Sequence, residues 1–420
     1  MKQNPHSERD TDTVSPRPAL PMAENRVSFS LLSGIKVIDL TTSIAGPYAT
    51  MLLSDFGAEV IKIERPEGDD ARYWGPPFLN GESLWFNAVN RNKKSVVVDV
   101  KTADGREELW NLVASADVVV TNHPPDVQRK LGLDYEALKA VREDLVFTAI
   151  SGFGLNGARA NLTCYDLIAE GYSGIMDVTG EATSGPQKIG APAADMLAGQ
   201  DAAMATMAAL FDRQRSGAGR LIDVSLVESM TRFLSCRISS YLGSGEVPKR
   251  SGGTDSVIAI YQAFDTADHP LTLGLGTDGI WKRFWQAVGD PEFADRTEFT
   301  TNATRRESRK EIVDRIQTIL KTRGRERWLE TFAAARVPAG PINRVDEVVA
   351  DEALQKRGLF YVLADGDRLV PQVGLGIQID GKPSWPRTAP PSLGQHTAEI
   401  MDRPAASTER ADPDAITGKR

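Results

Sequence analysis

Residues 35–65 read IKVIDLTTSIAGPYATMLLSDFGAEVIKIER, and this stretch decides the fold class. Its two ends, 35–40 and 58–65, are rich in valine and isoleucine, as buried strands are. Between them, the spacing of apolar residues predicts a helix over 47–56, and Gly57 is a favoured type of residue just after a helix. The stretch therefore predicts one strand–helix–strand unit with a short loop after its first strand.

The same alternation continues along the chain. Strands are predicted at 95–100, 117–122 and 145–151, separated by helices at 103–115 and 134–143. Such alternation is typical of a parallel, doubly wound α/β sheet, on which ligands bind outside the carboxyl ends of the strands. We therefore expect the functional site in the loops that follow the strands, namely those after Leu40, Arg65, Asn122 and Ser151.

The second half of the chain indicates a smaller unit. Helices are predicted at about 195–214 and 225–242. The segment GSGEVPKRSGGTDS (243–256) reads as a linker or loop, and short strands and polar helices follow it. The polar, proline-containing ends of the chain predict a disordered tail over 1–28 and a flexible one over 403–420.

The composition excludes several classes of protein. The 420 residues carry a net charge of −8, unlike the basic excess of nucleic-acid binders. No run of about 18 apolar residues predicts a membrane span, and the start of the sequence lacks the apolar core of a signal peptide. Since only two cysteines occur, a reducing cytoplasm is the expected location.

Asp195 stands out in the stretch IGAPAADMLAGQDAAMATMAALF (189–211), because the rest of this predicted helix is mostly small or apolar. Two interpretations of the pattern are open. Asp195 is either an N-cap, whose side chain accepts hydrogen bonds from free backbone N–H groups, or a reactive carboxylate held at a helix start, where negative charge is favoured.

Other reactive groups are scarce. The four histidines, of which only His123 lies on an expected ligand loop, support neither a His-rich metal site nor a Ser-His-Asp triad. Cys164 and Cys236 form neither a disulfide scaffold nor a zinc site. Cys164 is either a nucleophile or a buried structural thiol. Carboxylates are therefore the most natural carriers of covalent chemistry.

The loop TTSIAGPYAT (41–50) lacks the GxGxxG pattern of dinucleotide-binding loops, although its small residues would let a ligand approach the backbone. Basic residues near the expected rim would either contact phosphate groups or lie solvated at the surface. They are Arg65, Arg91, Lys93, Lys94, Arg129 and Lys130.

Several long motifs stand in the order of a known family. They are LSGIKVIDLTTSIAGPYATMLLSDFGAEVIKIERPEGDDARYWGPP (32–77), NRNKKSVVVDVKTADGREEL (90–109), ADVVVTNHPPDVQRKLGLDYEAL (116–138), ISGFGLNG (150–157), YDLIAEGYSGIMDVTGEATSGPQKIGAPAADMLAG (165–199), ARVPAGPINRVDEVVADEALQKRGLF (335–360) and RTAPPSLGQHTAEIM (387–401). Over about 32–401, the chain resembles the family III CoA-transferases, the group of carnitine–CoA transferase and formyl-CoA transferase.

The resemblance implies a ring-shaped, interlocked homodimer. Each subunit would have a large Rossmann-like domain built from both ends of the chain and a small central α+β domain. The implied division is 29–225 for the first part of the large, CoA-binding domain, 226–335 for a linker helix and the small domain, and 336–402 for the return to the large domain. The implied substrates are an acyl-CoA and a small carboxylic acid, with coenzyme A and no metal taking part.

The family's catalytic aspartate falls on Asp195, which favours the reactive carboxylate. In the implied reaction, this group attacks the donor thioester and passes through a mixed anhydride to an aspartyl-CoA thioester. The CoA contacts of the family fall on Ile44, Ala45, Arg65, Val98, Lys101, Asn122, His123 and Lys130. Its segment near the reactive carboxylate falls on Thr163, Tyr165 and Asp166.

Two departures bear on the substrate. Formyl-CoA transferases have glutamine at the position of Ile44 and a long glycine-rich loop, where this chain has only SGG (251–253), so a formyl or oxalyl substrate is disfavoured. The related 2-methylacyl-CoA racemases use a His–Asp pair, and their histidine falls on Tyr165, whose ordinary pKa of about 10 suits proton transfer poorly. A racemase and a CoA-ester-binding protein with little turnover remain the alternatives, and succinyl-CoA is the donor that the resemblance suggests.

Overall fold

The structure is a computed structural model that describes residues 19–23 and 27–402 of the 420. The predicted tail at 403–420 and most of the predicted tail at 1–28 lie outside the described residues.

The strands, in chain order, are β1 (Lys36–Leu40), β2 (Glu59–Glu64), β3 (Phe78–Leu79), β4 (Glu82–Ser83), β5 (Lys93–Val97), β6 (Val118–Thr121), β7 (Val146–Ser151), β8 (Arg220–Ser225), β9 (Tyr261–Phe264), β10 (Leu271–Gly274), β11 (Ala339–Pro341), β12 (Phe360–Asp365), β13 (Arg368–Val373), β14 (Gln378–Ile379) and β15 (Lys382–Pro383).

The α-helices are α1 (Ala45–Asp55), α2 (Leu84–Ala88), α3 (Ala103–Ala114), α4 (Pro125–Leu131), α5 (Tyr135–Val141), α6 (Asp166–Ser173), α7 (Ile175–Val178), α8 (Ala193–Ser216), α9 (Leu226–Phe233), α10 (Ser235–Ser244), α11 (Asp278–Ala287), α12 (Pro291–Ala294), α13 (Asn302–Glu307), α14 (Arg309–Leu320), α15 (Arg325–Ala334), α16 (Val345–Ala350), α17 (Glu352–Lys356) and α18 (Thr397–Met401). Short 3-10 helices occur at Asp70–Tyr73 and Thr297–Phe299.

The main sheet has six strands in the order β5-β2-β1-β6-β7-β8, and every neighbouring pair is parallel. The predicted parallel sheet is therefore confirmed. From β1 the chain proceeds to β2 on one side and later to β6 on the other, so the strand order reverses at β1. In open sheets of this kind, ligands bind at the carboxyl edge beside such a reversal.

Apolar clusters lie on both faces of this sheet, because successive strand residues point to opposite faces. Val37 of β1 belongs to the cluster with α1, α8 and α9, whereas the next residue, Ile38, belongs to the cluster with α3 and α5. Both side chains are fully buried. This two-sided burial explains why the central strands read as nearly continuous apolar runs.

A separate core forms between residues 259 and 337. The antiparallel strands β9, β10 and β11 pack with helices whose apolar side chains are largely aromatic, including Trp281, Trp285 and Phe332. Near the end of the chain, the His396 backbone N–H donates to the Ser95 carbonyl of β5, so this segment contacts the main sheet. The domain division, the Rossmann-like classification and the interlocked homodimer stay predictions.

One strand of the main sheet was not predicted from the sequence, and two helices were predicted as one. Strand β8 lies at the edge of the sheet, and its residues Arg220, Leu221 and Asp223 are exposed, so it lacks a long apolar run. The helix predicted over 225–242 is α9 and α10, which meet at Leu234 because its N–H donates to Thr231, only three residues back. None of the helices in the described ranges is both long and apolar enough to cross a membrane.

Candidate active site

Asp195 is the third residue of α8 and lies in its first turn. The residue in the N-cap position is Pro192, which has no polar side chain and makes no capping hydrogen bond. The interpretation of Asp195 as the N-cap is therefore wrong: the helix begins two residues earlier than the sequence predicts, because Ala193 and Ala194 are already helical.

The start of α8 is instead capped by a residue from another helix. Asp166 is the first residue of α6, and its Oδ1 atom accepts hydrogen bonds from the backbone nitrogens of Ala194, at 2.8 Å, and Asp195, at 3.2 Å. Two of the free N–H groups at the start of α8 are thereby satisfied. The contact brings the carboxyl groups of Asp166 and Asp195 into one site.

The Asp195 carboxyl group is half-buried. Burial and, after it, the neighbouring charge of Asp166 raise the pKa of Asp195 from 3.8 to about 7. Burial acts because a carboxylate loses hydration there, and Asp166 acts because like charges repel. At neutral pH, Asp195 therefore exchanges readily between its ionised and protonated forms.

Cys164 lies beside these carboxylates. Burial, followed by the charges of Asp195 and Asp166, raises the pKa of the Cys164 thiol to about 11. A side chain at Gly152 would place its Cβ 2.2 Å from the Cβ of Cys164, so the cysteine packs directly on that glycine. Because a thiol of this kind stays protonated at neutral pH, the structural role fits Cys164 better than the nucleophilic one.

Thr163 and Tyr165 lie on the same segment as Cys164 and are exposed. Tyr165 immediately precedes α6, and 66% of its surface is accessible. Thr163, Tyr165 and Asp166, predicted together from the sequence, thus lie at or just before the start of α6, and Asp166 contacts the backbone of Asp195.

The loop between β1 and α1 contacts this region through α1. Gly199 of α8 faces the start of α1, and a Cβ at Gly199 would lie 2.5 Å from the Ala45 carbonyl oxygen. Asp195 is four residues before Gly199, so both lie on the same side of α8. The Asp195 carboxyl group and the start of α1 therefore share one side of the main sheet.

The same loop is held by groups from two other loops. The Asn122 side chain accepts from the Thr42 N–H at 3.0 Å and donates to the Thr42 carbonyl at 2.8 Å. Ser43, whose φ of 70° is unusual for a residue with a side chain, donates its N–H to Asp69 at 3.0 Å. The loops after β1, β2 and β6 therefore meet at the carboxyl edge of the sheet.

A buried ion pair lies beneath this loop. Lys62 of β2 is fully buried, lies 2.9 Å from Asp69 and donates to the Thr41 carbonyl at 2.7 Å. Neither Lys62 nor Asp69 was predicted from the sequence as part of the site. A lysine inside a strand buried on both faces was the available signal, since such a charge requires a partner.

Two of the basic residues considered as phosphate contacts are buried instead. Lys93 is bonded to Asp39 at 3.0 Å, and burial lowers its pKa to about 8 despite that partner. Arg91 is 2% exposed and forms an ion pair with Asp55. The interpretations of Lys93 and Arg91 as rim or surface cations are therefore wrong, because both are buried and form ion pairs with buried carboxylates.

The remaining predicted contacts divide by exposure. Arg65 directly follows β2 and its side chain is 45% exposed, while Lys101 and Lys130 are exposed. His123 is half-buried near Arg65, and burial together with the charges of Arg65 and Lys62 lowers its pKa. The side chains of Ile44, Ala45 and Val98 are buried, so a ligand there would contact their backbone atoms.

Among residues 19–23 and 27–402, no group of three or more His, Cys, Asp or Glu side chains is arranged to hold a metal ion.

Comparison with known proteins identifies the family. The model of CoA-transferase family III matches residues 32–397. The chain is 39% identical to succinate–glutarate CoA-transferase of Agrobacterium fabrum, over 88% of this chain and 94% of that protein. It is 35% identical to succinyl-CoA:glutarate CoA-transferase of Homo sapiens, over 90% of this chain and 87% of that protein.

The solved structures agree. A CAIB/BAIF family protein from Brucella suis matches with a TM-score of 0.79 at 38% identity, covering 90% of this chain and 99% of that chain. The fold and the match of the family model thus define a CoA-transfer enzyme. The chain belongs to CoA-transferase family III, as the motifs predict.

Proposed function

We propose that the enzyme moves CoA from an acyl-CoA donor to a free carboxylic acid through an aspartyl-CoA thioester on Asp195. The observation that carries this proposal is the half-buried Asp195 carboxyl group, whose pKa burial and Asp166 raise to about 7. A carboxylate of raised pKa is a stronger nucleophile than an ordinary aspartate and is still substantially ionised at neutral pH.

In the first half of the reaction, an oxygen of the Asp195 carboxylate attacks the thioester carbonyl of the donor. The carbon–sulfur bond breaks, and a mixed anhydride and CoA thiolate form. The thiolate then attacks the aspartyl carbonyl of the anhydride. The donor leaves as its free carboxylate, and the CoA sulfur is bonded to Asp195.

In the second half, the acceptor carboxylate attacks the aspartyl-CoA thioester. CoA thiolate leaves again, and a mixed anhydride of Asp195 and the acceptor forms. The thiolate attacks the acceptor's carbonyl, which yields the new acyl-CoA and returns Asp195 as a carboxylate. The thioester energy is conserved in these steps, so ATP takes no part.

Each tetrahedral intermediate requires hydrogen-bond donors at its oxyanion. The N–H groups of Ala194 and Asp195 already donate to Asp166, and that of Ala193 donates to Ala191. We therefore assign the oxyanion donors to the start of α1, which lies against α8 at Gly199. The candidate donors there are the N–H groups of Ala45 and Gly46, because Pro47 has none and the Tyr48 N–H donates to the Ile44 carbonyl.

We propose that CoA lies along the carboxyl edge of the main sheet. The exposed cations Arg65, Lys101 and Lys130 would contact its phosphate groups. The backbone at Ile44, Ala45 and Val98 would approach the rest of the molecule. The remaining proposed contacts are Asn122, His123, Thr163, Tyr165 and Asp166.

The named relatives act on succinate and glutarate or their CoA esters. We propose a donor of the succinyl-CoA type and a dicarboxylic acceptor of the glutarate type for this chain. We also propose that the enzyme is a homodimer, as the resemblance of the motifs implies.

Intact-mass spectrometry tests the covalent step. The enzyme is mixed with succinyl-CoA, glutaryl-CoA or acetyl-CoA, and the CoA adduct is mapped by peptide. We expect an adduct on Asp195 that forms most readily with the two dicarboxylic esters, and its discharge when glutarate is added.

The variant D195A, with D212A on the same helix as the matched control, gives the second arm. We expect D195A to abolish transfer and the adduct while binding CoA, and D212A to resemble the parent. Transfer by D195A at the parent rate would contradict the mechanism. Absence of an adduct, together with exchange of the α-proton of a 2-methylacyl-CoA, would support the racemase alternative instead.

A further inference from the structure

Glu170 is a fully buried acidic residue that the proposed mechanism does not use. It lies in α6, four residues after Asp166 and therefore on the same face of the helix. Its Oε2 atom accepts a hydrogen bond from the Ile189 N–H at 2.9 Å. Its other oxygen, Oε1, is buried and receives no hydrogen bond from any donor in the described part of the chain.

A carboxylate in this environment is costly. Of the charged neighbours, Asp166 disfavours the ionised form of Glu170 and Lys188 favours it. The Lys188 ammonium group is exposed, however, and donates to the Ile189 carbonyl rather than to Glu170. A buried carboxyl group without a bound cation takes up a proton rather than remain charged.

Asp166 lies one helical turn before Glu170 in α6, and its negative charge acts on the Glu170 carboxyl group. Two adjacent carboxyl groups cannot both ionise easily, and one of them keeps a proton. Asp166 uses Oδ1 to accept from two backbone N–H groups, whereas Oε1 of Glu170 accepts from none in the described part of the chain. The shared proton therefore belongs on Glu170, the more deeply buried of the two.

We propose that Glu170 is protonated in the working enzyme, donates its proton in a hydrogen bond to Asp166, and is thereby a positioning residue for Asp195. This inference rests on the proposed function of Asp195. Glu170 is placed to act on both sides of the start of α8. It accepts directly from the Ile189 N–H, which precedes α8, and it neighbours Asp166, which accepts from the Ala194 N–H in the first turn of α8. Through the proposed hydrogen bond, Glu170 holds Asp166 in place as the acceptor for the α8 backbone.

The variants E170Q and E170A separate this role from simple packing. Glutamine has a carbonyl acceptor for the Ile189 N–H and an NH2 group, one N–H of which can donate to Asp166, so it mimics the protonated acid. We expect E170Q to keep kcat within about twofold of the parent, and E170A to lower kcat about tenfold or more with a smaller change in KM for acyl-CoA. If E170Q is as impaired as E170A, the proposal is overturned.

A second measurement detects the proton without turnover. In enzyme labelled with ¹³C-glutamate, infrared spectroscopy at neutral pH resolves the carbonyl stretch of a protonated glutamic acid. We expect this band in the parent and in the exposed-residue control E136Q, and its loss in E170Q. An absent band in the folded parent would overturn the proposal.

The same spectra keep the two proposals distinguishable. The band must persist in D195A, since the label reports glutamate only. If D195A still transferred CoA, the proposed mechanism would fail. The infrared band and the activity of E170Q would still report the protonation state of Glu170.

Discussion

The Oδ1 atom of Asp166 lies 3.2 Å from the backbone nitrogen of Asp195, so one carboxylate caps the helix that carries the other. The arrangement has two opposite effects on Asp195. It fixes the first turn of α8, and it places a negative charge beside the carboxylate that we propose as the nucleophile. Burial and, after it, this charge raise the pKa of Asp195, so the pH dependence of transfer is a direct test of the site.

Replacing Asp166 by asparagine removes this charge but keeps an oxygen that can accept from the α8 backbone. The ionised form of Asp195 is the reactive one, so kcat/KM of the parent should rise with pH through about 7. In D166N, we expect this acidic limb to move to lower pH, because the repulsion is gone. The pH profile of kcat/KM, with D212N as the matched control, measures the shift. An unmoved limb in D166N would show that Asp166 does not set the charge state of Asp195.

Lys62 tests whether the buried ion pair supports the loop between β1 and α1. K62M would leave Asp69 buried without its cation, which typically destabilises a protein by about 3–5 kcal/mol. The matched control is K94M, since Lys94 forms a partly exposed pair with Glu59 whose loss costs about 1 kcal/mol or less. Urea unfolding compares the two variants. Equal losses of unfolding free energy would contradict a special role for Lys62.

Much of the fold was predictable because local pattern and tertiary environment agree. The strand–helix–strand unit at 35–65 is buried on both faces, and its apolar runs show this directly. Strand β8 was not predictable in the same way, since its exposed edge residues carry no such pattern. The motifs of the family also placed Asp166 near Asp195, and the structure joins the two by a hydrogen bond.

The parts of the site that escaped prediction depend on partners distant in sequence. Asp166 and the start of α8 are 28 residues apart, and the N-cap interpretation considered only residues next to Asp195. The positions of Lys93 and Arg91 were misjudged for a related reason. Their partners, Asp39 and Asp55, belong to other elements, so sequence proximity to a loop did not indicate burial.

Gly199 tests the contact between α8 and the start of α1. Alanine at this position would place a Cβ 2.5 Å from the Ala45 carbonyl oxygen, so the two helices would have to separate. We expect G199A to lose about 1–3 kcal/mol of stability and to have reduced kcat/KM, since Asp195 lies one turn away. The control is G243A in α10, where an added Cβ meets nothing within 4 Å. There, alanine should be neutral or stabilising.

Cys164 and Cys236 should differ in reactivity. Burial, together with Asp195 and Asp166, raises the pKa of Cys164 to about 11, whereas Cys236 is exposed. Because the thiolate is the reactive form, we expect iodoacetamide at pH 8 to modify Cys236 well before Cys164. Peptide mapping over a time course measures both sites in one sample. Faster labelling of Cys164 would mean that its surroundings favour the thiolate, contrary to the charges around it.

The raised pKa of Asp195 also predicts how stability depends on pH. The folded protein binds the Asp195 proton more tightly than the unfolded chain, whose aspartates have a pKa near 3.8. The resulting stabilisation is fully present below pH 3.8 and is lost as the pH rises to about 7. The side chain at this position in D195N does not ionise, so the variant does not lose stability in this way. Its unfolding free energy should therefore exceed that of the parent, and the difference should be larger at pH 8 than at pH 5. Urea unfolding of both proteins across this range measures the difference. A constant difference would mean that Asp195 titrates as an ordinary aspartate, and that the site does not hold its nucleophile in the destabilised, reactive state that the mechanism requires.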